Sequence, residues 1–325
     1  MAVFTKINTN DIYYIENQFN LGKIKIFKGI KKGIENTNYL IRTKNKKYIL
    51  TIFEKRIHGG CKYKDLIFFM KLMSKLIKLK IKCPKPVRNK KGTYIFKLKN
   101  KNACIVSFLE GKDKKQLSVN DYFSIGKNVA KLHIASKKIN LYRKNSLSVN
   151  SWGPLLKKVD NRINKLSSNL VNLMKSDLAD IKKKWPKKIP KGIIHSDLFI
   201  DNIFFYKNKF YGFIDFYFSA NDFLAYELAT CINALCFKKR NKIFVLDKKK
   251  SSQLLKGYQS VRKLSLKEKN NLNTLCRGSA LRYLLTRSYD FLNTPKNAII
   301  KIKDPLEYLH KLNLHRNLNS FKDYS

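Results

Sequence analysis

His195-Ser196-Asp197-Leu198-Phe199-Ile200-Asp201-Asn202 is the stretch whose reading decides the fold. It follows an apolar, strand-like entry, Ile193-Ile194, and runs into a second apolar segment, Ile203-Phe204-Phe205. Thirteen residues past Asn202 stands Asp215, within Tyr211-Gly212-Phe213-Ile214-Asp215-Phe216. The polar turn Lys207-Asn208-Lys209 separates the two apolar segments, so the spacing predicts a hairpin able to gather Asp197, Asn202 and Asp215 around one point. That set of groups suits phosphoryl transfer. The reaction needs a carboxylate to take the attacking hydroxyl's proton, and oxygen donors for a hard cation that bridges nucleotide phosphates. Asp197 suits the first role, Asn202 and Asp215 the second. His195 is read as a residue that holds the loop by hydrogen bonds.

Toward the amino terminus the pattern turns to strands: Ile24-Lys25-Ile26-Phe27, Asn38-Tyr39-Leu40-Ile41-Arg42 and Tyr48-Ile49-Leu50-Thr51-Ile52-Phe53. Helical spacing of apolar residues over Leu66 to Leu79 ends before Pro84 and Pro86. Two more strands are predicted at Thr93 to Leu98 and Ala103 to Leu109. The remainder reads mainly helical: Tyr122 to Ser136, then segments around 155–185, 222–238, 250–260, 266–292 and 303–314. The fold class is therefore α+β, with a small strand-rich half at 1–108 and a larger helical half at 109–325.

The 325 residues carry 69 Lys plus Arg against 22 Asp plus Glu, a formal net charge of +47. Such a balance suggests a nucleic-acid binder. Yet only 11 of the cations are Arg and 58 are Lys, spread over the whole length among abundant Ile and Asn. Nucleic-acid readers lean on the planar Arg fork. Mutational drift in an AT-rich genome explains the lysines without a polyanionic partner, and no specific nucleic-acid binding is expected. Cys61, Cys83, Cys104, Cys231, Cys236 and Cys276 show no metal or disulfide spacing and are read as reduced thiols. No apolar stretch follows Met1, and the most apolar run, Phe223 to Phe237, holds Glu227 and Asn233. The expectation is a cytoplasmic protein with no membrane association.

The octet matches the spacing H-x-D-L-x-x-x-N of protein kinases, and Asp215-Phe216 stands where their metal-binding Asp-Phe would stand. With Ser196 in second place it is more similar to the aminoglycoside-phosphotransferase branch. Several further stretches resemble the bacterial homoserine kinases of that branch: Met1 to Thr5, Gly33 to Tyr39, Tyr48 to Glu54, His195 to Phe205, Ile214 to Tyr217, Ala280 to Arg287 and Lys303 to Tyr308. The resemblance runs over nearly the whole chain. It implies a bilobal protein-kinase-like fold, with an antiparallel sheet in the amino-terminal lobe and helices in the carboxyl-terminal lobe. It also implies ATP- and Mg²⁺-dependent phosphorylation of the side-chain hydroxyl of L-homoserine, toward threonine. Asp197 would be the base, and Asn202 and Asp215 would hold the metal.

By the same resemblance the loop Gly29 to Asn38 would lie over the nucleotide phosphates, with Gly33, Asn36, Thr37 and Asn38 in contact; an ordinary hairpin turn fits its two glycines equally well. Two departures stand out. Thr51 occupies the third-strand place where kinases usually carry a cation, and Ala234-Leu235 stand where homoserine kinases more often show Asp-Trp. Asn233, Trp152, Arg282 and Arg287 are weaker candidates for substrate contact. The alternatives are a kinase of another small hydroxylated compound, such as an aminoglycoside, choline or an amino alcohol, and a basic nucleic-acid-binding relative without kinase activity.

Overall fold

The structure, a computed structural model, describes residues 3–30, 36–54, 62–241, 243–294 and 302–325. These form two compact units. One holds the described residues up to Glu110 together with Gly212–Tyr217; the other holds Gly111–Tyr211 and the described residues from Phe218 onward. The linear division expected at 108/109 does not foresee the excursion of Gly212–Tyr217 into the first unit.

In the first unit, helix α1 (Thr9–Gln18) precedes strands β1 (Ile24–Gly29), β2 (Thr37–Thr43) and β3 (Lys47–Ile52), helix α2 (Tyr63–Lys78), and strands β4 (Ile95–Leu98) and β5 (Lys101–Ser107). The strands make one sheet in the order β1-β2-β3-β5-β4, antiparallel throughout. In β2, Thr37, Tyr39, Ile41 and Thr43 are buried in strict alternation, and the inward face packs Ile41, Leu50, Ile52 and Ile105 against Ile15 and Phe19. Helix α1 was not expected. Its start is fixed by a capping box between Asn8 and Asp11, while Ile15 is its only buried residue and Tyr13 and Tyr14 face solvent, so the apolar stripe is too thin to read.

The second unit contains α3 (Val119–Lys137), α4 (Val149–Leu156), α5 (Leu170–Lys184), β6 (Lys191–Ile194) and β7 (Ile203–Tyr206). Next come β8 (Lys209–Phe213), in which the chain crosses to the first unit, then β9 (Ala220–Phe223), α6 (Leu224–Leu235), β10 (Phe237–Arg240), β11 (Ile243–Leu246), α7 (Lys248–Gln259), α8 (Leu266–Asn293) and α9 (Leu306–Arg316). The helical segment expected around 155–185 holds only the last residues of α4, a 3-10 turn and α5, and α4 begins earlier than expected. Asp160 caps a 3-10 turn at Asn161–Lys165 by accepting Arg162 N, Asn164 Oδ1 accepts Val171 N at the start of α5, and Asn169 between them takes φ 58°. The long helix α8 is tied to both flanking helices. Asp177 of α5 receives Arg277 Nη2 of α8 at 3.1 Å and Arg316 Nε of α9 at 3.1 Å, and Glu307 of α9 receives Arg287 Nη1 of α8 at 2.7 Å.

Among the described residues Cys83, Cys104, Cys231, Cys236 and Cys276 are free and buried, and burial pushes the thiols of Cys83 and Cys104 up to about 12, which leaves them inert. No described helix is long and apolar enough to cross a membrane.

Helices α3 and α7 meet backbone to backbone. A Cβ on Gly126 would lie 1.9 Å from the Leu254 carbonyl oxygen, and one on Gly257 would lie 2.0 Å from that of Phe123. Within an exposed helix Gly→Ala stabilises by roughly 1 kcal/mol. Here the sign should reverse: Gly126→Ala is expected to cost about 1–3 kcal/mol by overpacking and to lower Tm by roughly 5 °C in calorimetry, and a raised Tm would contradict this packing.

Candidate active site

Strand β6 pairs antiparallel with β9 and delivers His195 at its end, where the chain turns sharply. Ser196 adopts φ 71°, a left-handed conformation that costs a residue with a Cβ about 1–2 kcal/mol. Hydrogen bonds on both sides hold it there. Glu227, fully buried in the first turn of α6, accepts the backbone N–H of His195 in a short contact and that of Ser196 at 3.0 Å. From the other side the Ser196 carbonyl oxygen accepts from Arg282 Nη1 at 3.1 Å and from the Tyr283 hydroxyl at 3.4 Å, both on α8.

After this turn Asp197 faces outward enough to be only half-buried, while Leu198 is completely enclosed. The carboxylate of Asp197 is oriented by two donors: the Tyr283 hydroxyl to Oδ1 at 3.1 Å, and Asn202 Nδ2 to Oδ2 at 3.3 Å. Asn202 Nδ2 also donates to the Asp197 carbonyl oxygen at 2.8 Å, and a 3-10 turn over Ile200–Asn202 sets the spacing. A carboxylate offers about four acceptor directions, so two stay open. With both amide protons of Asn202 committed toward Asp197, its remaining polar atom is Oδ1, a neutral oxygen of the kind Mg²⁺ accepts. That oxygen suits a hard cation, although among the described residues no cluster of three or more His, Cys, Asp or Glu side chains stands ready to hold one, so phosphate and water oxygens would have to complete the set.

The hairpin expected from the sequence forms as β7 and β8, and its turn residues Lys207 and Asn208 take φ 48° and 62°. Asp215 follows β8 on the segment belonging to the first unit. That segment is bolted down locally: Phe213 N donates to the Lys82 carbonyl at 3.1 Å, and Tyr217 reaches Thr51 Oγ1 at 3.5 Å and Cys104 Sγ at 3.6 Å. Asp215 itself has φ 62°, a second left-handed residue among the candidates.

The expected nucleotide loop is only partly described, since Gly33 lies outside the described residues. Thr37 turns inward: its hydroxyl accepts Phe4 N at 2.9 Å and Thr5 N at 3.1 Å and donates to Glu54 Oε1 at 2.7 Å. Burial works against the charge of Glu54, but hydrogen bonds from Lys101, Thr5 and Thr37 outweigh it and hold the carboxyl below its ordinary value. Asn36 Oδ1 accepts Glu54 N at 3.4 Å, and Asn38 Oδ1 accepts Thr51 Oγ1 at 2.8 Å. The side chains of Asn36, Thr37 and Asn38 thus brace the base of the loop, and Thr51, in the usual cation's place, is one of the braces.

Of the weaker candidates, Asn233 is a satisfied core amide, donating to the Ala229 and Cys276 carbonyls at 3.2 and 2.9 Å and facing His315 Nε2 at 3.0 Å. Trp152 is core, its ring 5.2 Å from that of Trp185, and Arg287 is used by Glu307.

Residues 26–263 match the family described as phosphotransferase enzyme family. The homoserine kinase of Brucella anthropi is 40% identical over 324 residues, covering 100% of this chain and 97% of its own, and that of Rhizobium etli is 40% identical over 100% and 99%. The chain belongs to the homoserine kinases of the phosphotransferase family. Its fold is the protein-kinase-like one of that family: an amicoumacin kinase structure superposes with a TM-score of 0.71 at 13% identity, covering 96% of this chain and 95% of its own. A choline kinase from Cryptosporidium parvum gives 0.68 at 14%, covering 95% and 96%.

In this family member the residue that sequence reading missed is Glu227. Its signal was present, since a lone carboxylate in the apolar run Phe223 to Phe237 has to find donors once buried. Glu227→Gln replaces one acceptor oxygen by an N–H₂ that opposes the loop's own N–H groups. It is expected to lower stability by about 1–3 kcal/mol in urea unfolding and kcat by tenfold or more; unchanged values of both would show that the loop holds itself.

Proposed function

We infer that this chain is a homoserine kinase that moves the γ-phosphoryl group of ATP to the side-chain hydroxyl of L-homoserine, supplying the phosphorylated precursor of threonine. The observation that supports the chemistry is Asp197, a half-buried carboxylate oriented by Tyr283 and Asn202 with acceptor directions left open. Asp197 accepts the hydroxyl proton as the substrate oxygen forms its bond to the γ-phosphorus, the bond from that phosphorus to the bridging β–γ oxygen breaks, and ADP leaves with the electron pair. Asn202 and Asp215 are the residues we assign to Mg²⁺, which when bound neutralises charge building on the phosphate oxygens.

The amicoumacin kinase that shares this fold was solved with AMP-PNP and Ca²⁺, a nucleotide analogue and a divalent cation. The nucleotide is assigned to the loop between β1 and β2, whose base Asn36, Thr37 and Asn38 shape. Lysines standing in solvent, among them Lys25, Lys44, Lys90, Lys187 and Lys188, are read as a solvated surface with no specific nucleic-acid partner, in a cytoplasmic enzyme.

A coupled ADP assay over an acceptor panel tests the reading. ADP release should depend on both L-homoserine and Mg²⁺ and should exceed that with choline, 3-aminopropan-1-ol or an aminoglycoside by at least about a hundredfold in kcat/KM. Turnover equal to the homoserine-free background would refute it. Asp197→Asn should lower kcat by roughly 10²–10⁴ while nucleotide affinity measured by calorimetry changes little. A fully active Asn variant would remove Asp197 as the base.

A further inference from the structure

Arg282 stands apart from the other arginines of α8. Arg277 pairs with Asp177 and Asp180, and Arg287 pairs with Glu307. Arg282 is 4% exposed, and among the described residues no carboxylate comes within ion-pair distance of it. Its guanidinium lies 4.3 Å over the Tyr283 ring and spends Nη1 on the Ser196 carbonyl oxygen. Nε is buried with no hydrogen-bond partner, and the hydrogen bonds Arg282 makes to described residues are the one from Nη1 to Ser196 and one with the Tyr283 side chain. Nε and Nη2 share one edge of the guanidinium plane, the edge that takes a carboxylate through two parallel hydrogen bonds.

A buried guanidinium whose Nε–H has no acceptor is costly to the fold unless something comes to meet it. The nearby hydroxyl of Tyr226 is likewise buried with no partner. Burial opposes the charge on Arg282, but Tyr283, Tyr226 and Asp197 outweigh it and raise its affinity for the proton, so the side chain remains a full cation.

We propose that the Nε–Nη2 edge of Arg282 binds the α-carboxylate of the amino-acid acceptor and thereby selects amino acids over amino alcohols. The placement suits the chemistry. Arg282 and Tyr283 are consecutive on α8, and the first grips the carbonyl of Ser196 while the second grips the Asp197 carboxylate. The anion anchor and the base are thus set one residue apart on both partners. In homoserine four bonds separate the hydroxyl oxygen from the carboxylate carbon, an extended reach of about 5 Å, and Asp197 stands close enough to Arg282 to raise its affinity for the proton. A role confined to neutralising Asp197 would not leave the buried Nε–H of the guanidinium without an acceptor.

This proposal rests on the homoserine reading, and its test separates the two. In the wild-type enzyme L-homoserine should be used with a KM on the order of 100-fold below that of L-homoserinamide, which keeps the hydroxyl and the amine but has lost the negative charge. L-2-Aminobutyrate, with the carboxylate and no hydroxyl, should inhibit competitively. Arg282→Lys keeps the charge and loses the fork. It should raise the KM for L-homoserine and the Ki for L-2-aminobutyrate together, on the order of 30- to 100-fold, with nucleotide affinity unchanged and the KM for the amide within about threefold. Arg282→Met should do the same to a larger degree. Equal KM values for acid and amide in the wild type would overturn the assignment even if no variant folds. A variant that weakens acid and amide equally would overturn it in favour of a purely structural Arg282. No L-homoserine-dependent ADP release from the wild type would instead remove the parent reading.

Discussion

Two backbone N–H groups converging on one buried carboxylate set the conditions for everything else in the second unit. Glu227 cannot be buried alone, because an ionised carboxyl without donors costs far more than the fold can supply. His195 and Ser196 cannot turn their N–H groups inward without an acceptor, because β6 ends there and the ladder with β9 has nothing further to offer. Each solves the other's problem, and the left-handed Ser196 is the geometric by-product. Once that corner is made, Asp197 has one direction to point, Leu198 has to be swallowed by the core, and the next turn places Asn202 against the carboxylate it orients.

Helix α8 gives this corner its rigidity. Its arginines at 277, 282 and 287 are five residues apart, and five residues rotate a helix by about 500°, so successive arginines differ by roughly 140° in direction. One helix therefore addresses three neighbours in turn: α5 through Arg277, the loop at Ser196 through Arg282, and α9 through Arg287. Tyr283, next to the middle arginine, lets the same helix orient the base directly.

Much of this was legible in the chain. The octet announced its loop because polar groups at fixed spacing between two apolar strands have few other uses, and the alternation in β2 announced a half-buried strand. The concealed parts have physical causes in common. Glu227 looked like an interruption of an apolar helix, because a sequence shows the charge and hides the donors that come from residues 195 and 196. Thr37, assigned to the nucleotide by resemblance, faces inward because the period-2 register of β2 gives odd-numbered residues to the core. The excursion of Gly212–Tyr217 into the first unit could not be seen either, since the backbone bond from Phe213 to Lys82 depends on no side chain. Helix α1 hid for the opposite reason, being specified by its cap more than by its stripe.

The lopsided choice of cation, met first as a matter of composition, acquires a different meaning in the folded chain. Five of the eleven arginines fall between residues 262 and 316, and all five grip an oxygen: Glu268, Asp177 and Asp180, the Ser196 carbonyl, Glu307, and Asp177 again. Lysine is the residue this chain uses by default wherever a positive charge need only stay wet. Between residues 262 and 316 the flat, forked head is kept at such joints, where buried Lys311, the one lysine of α9, likewise spans two oxygens, those of Asn233 and Glu307. In a background so saturated with lysine, these five arginines act as a marker dye, and the stained positions trace joints on which the second unit depends.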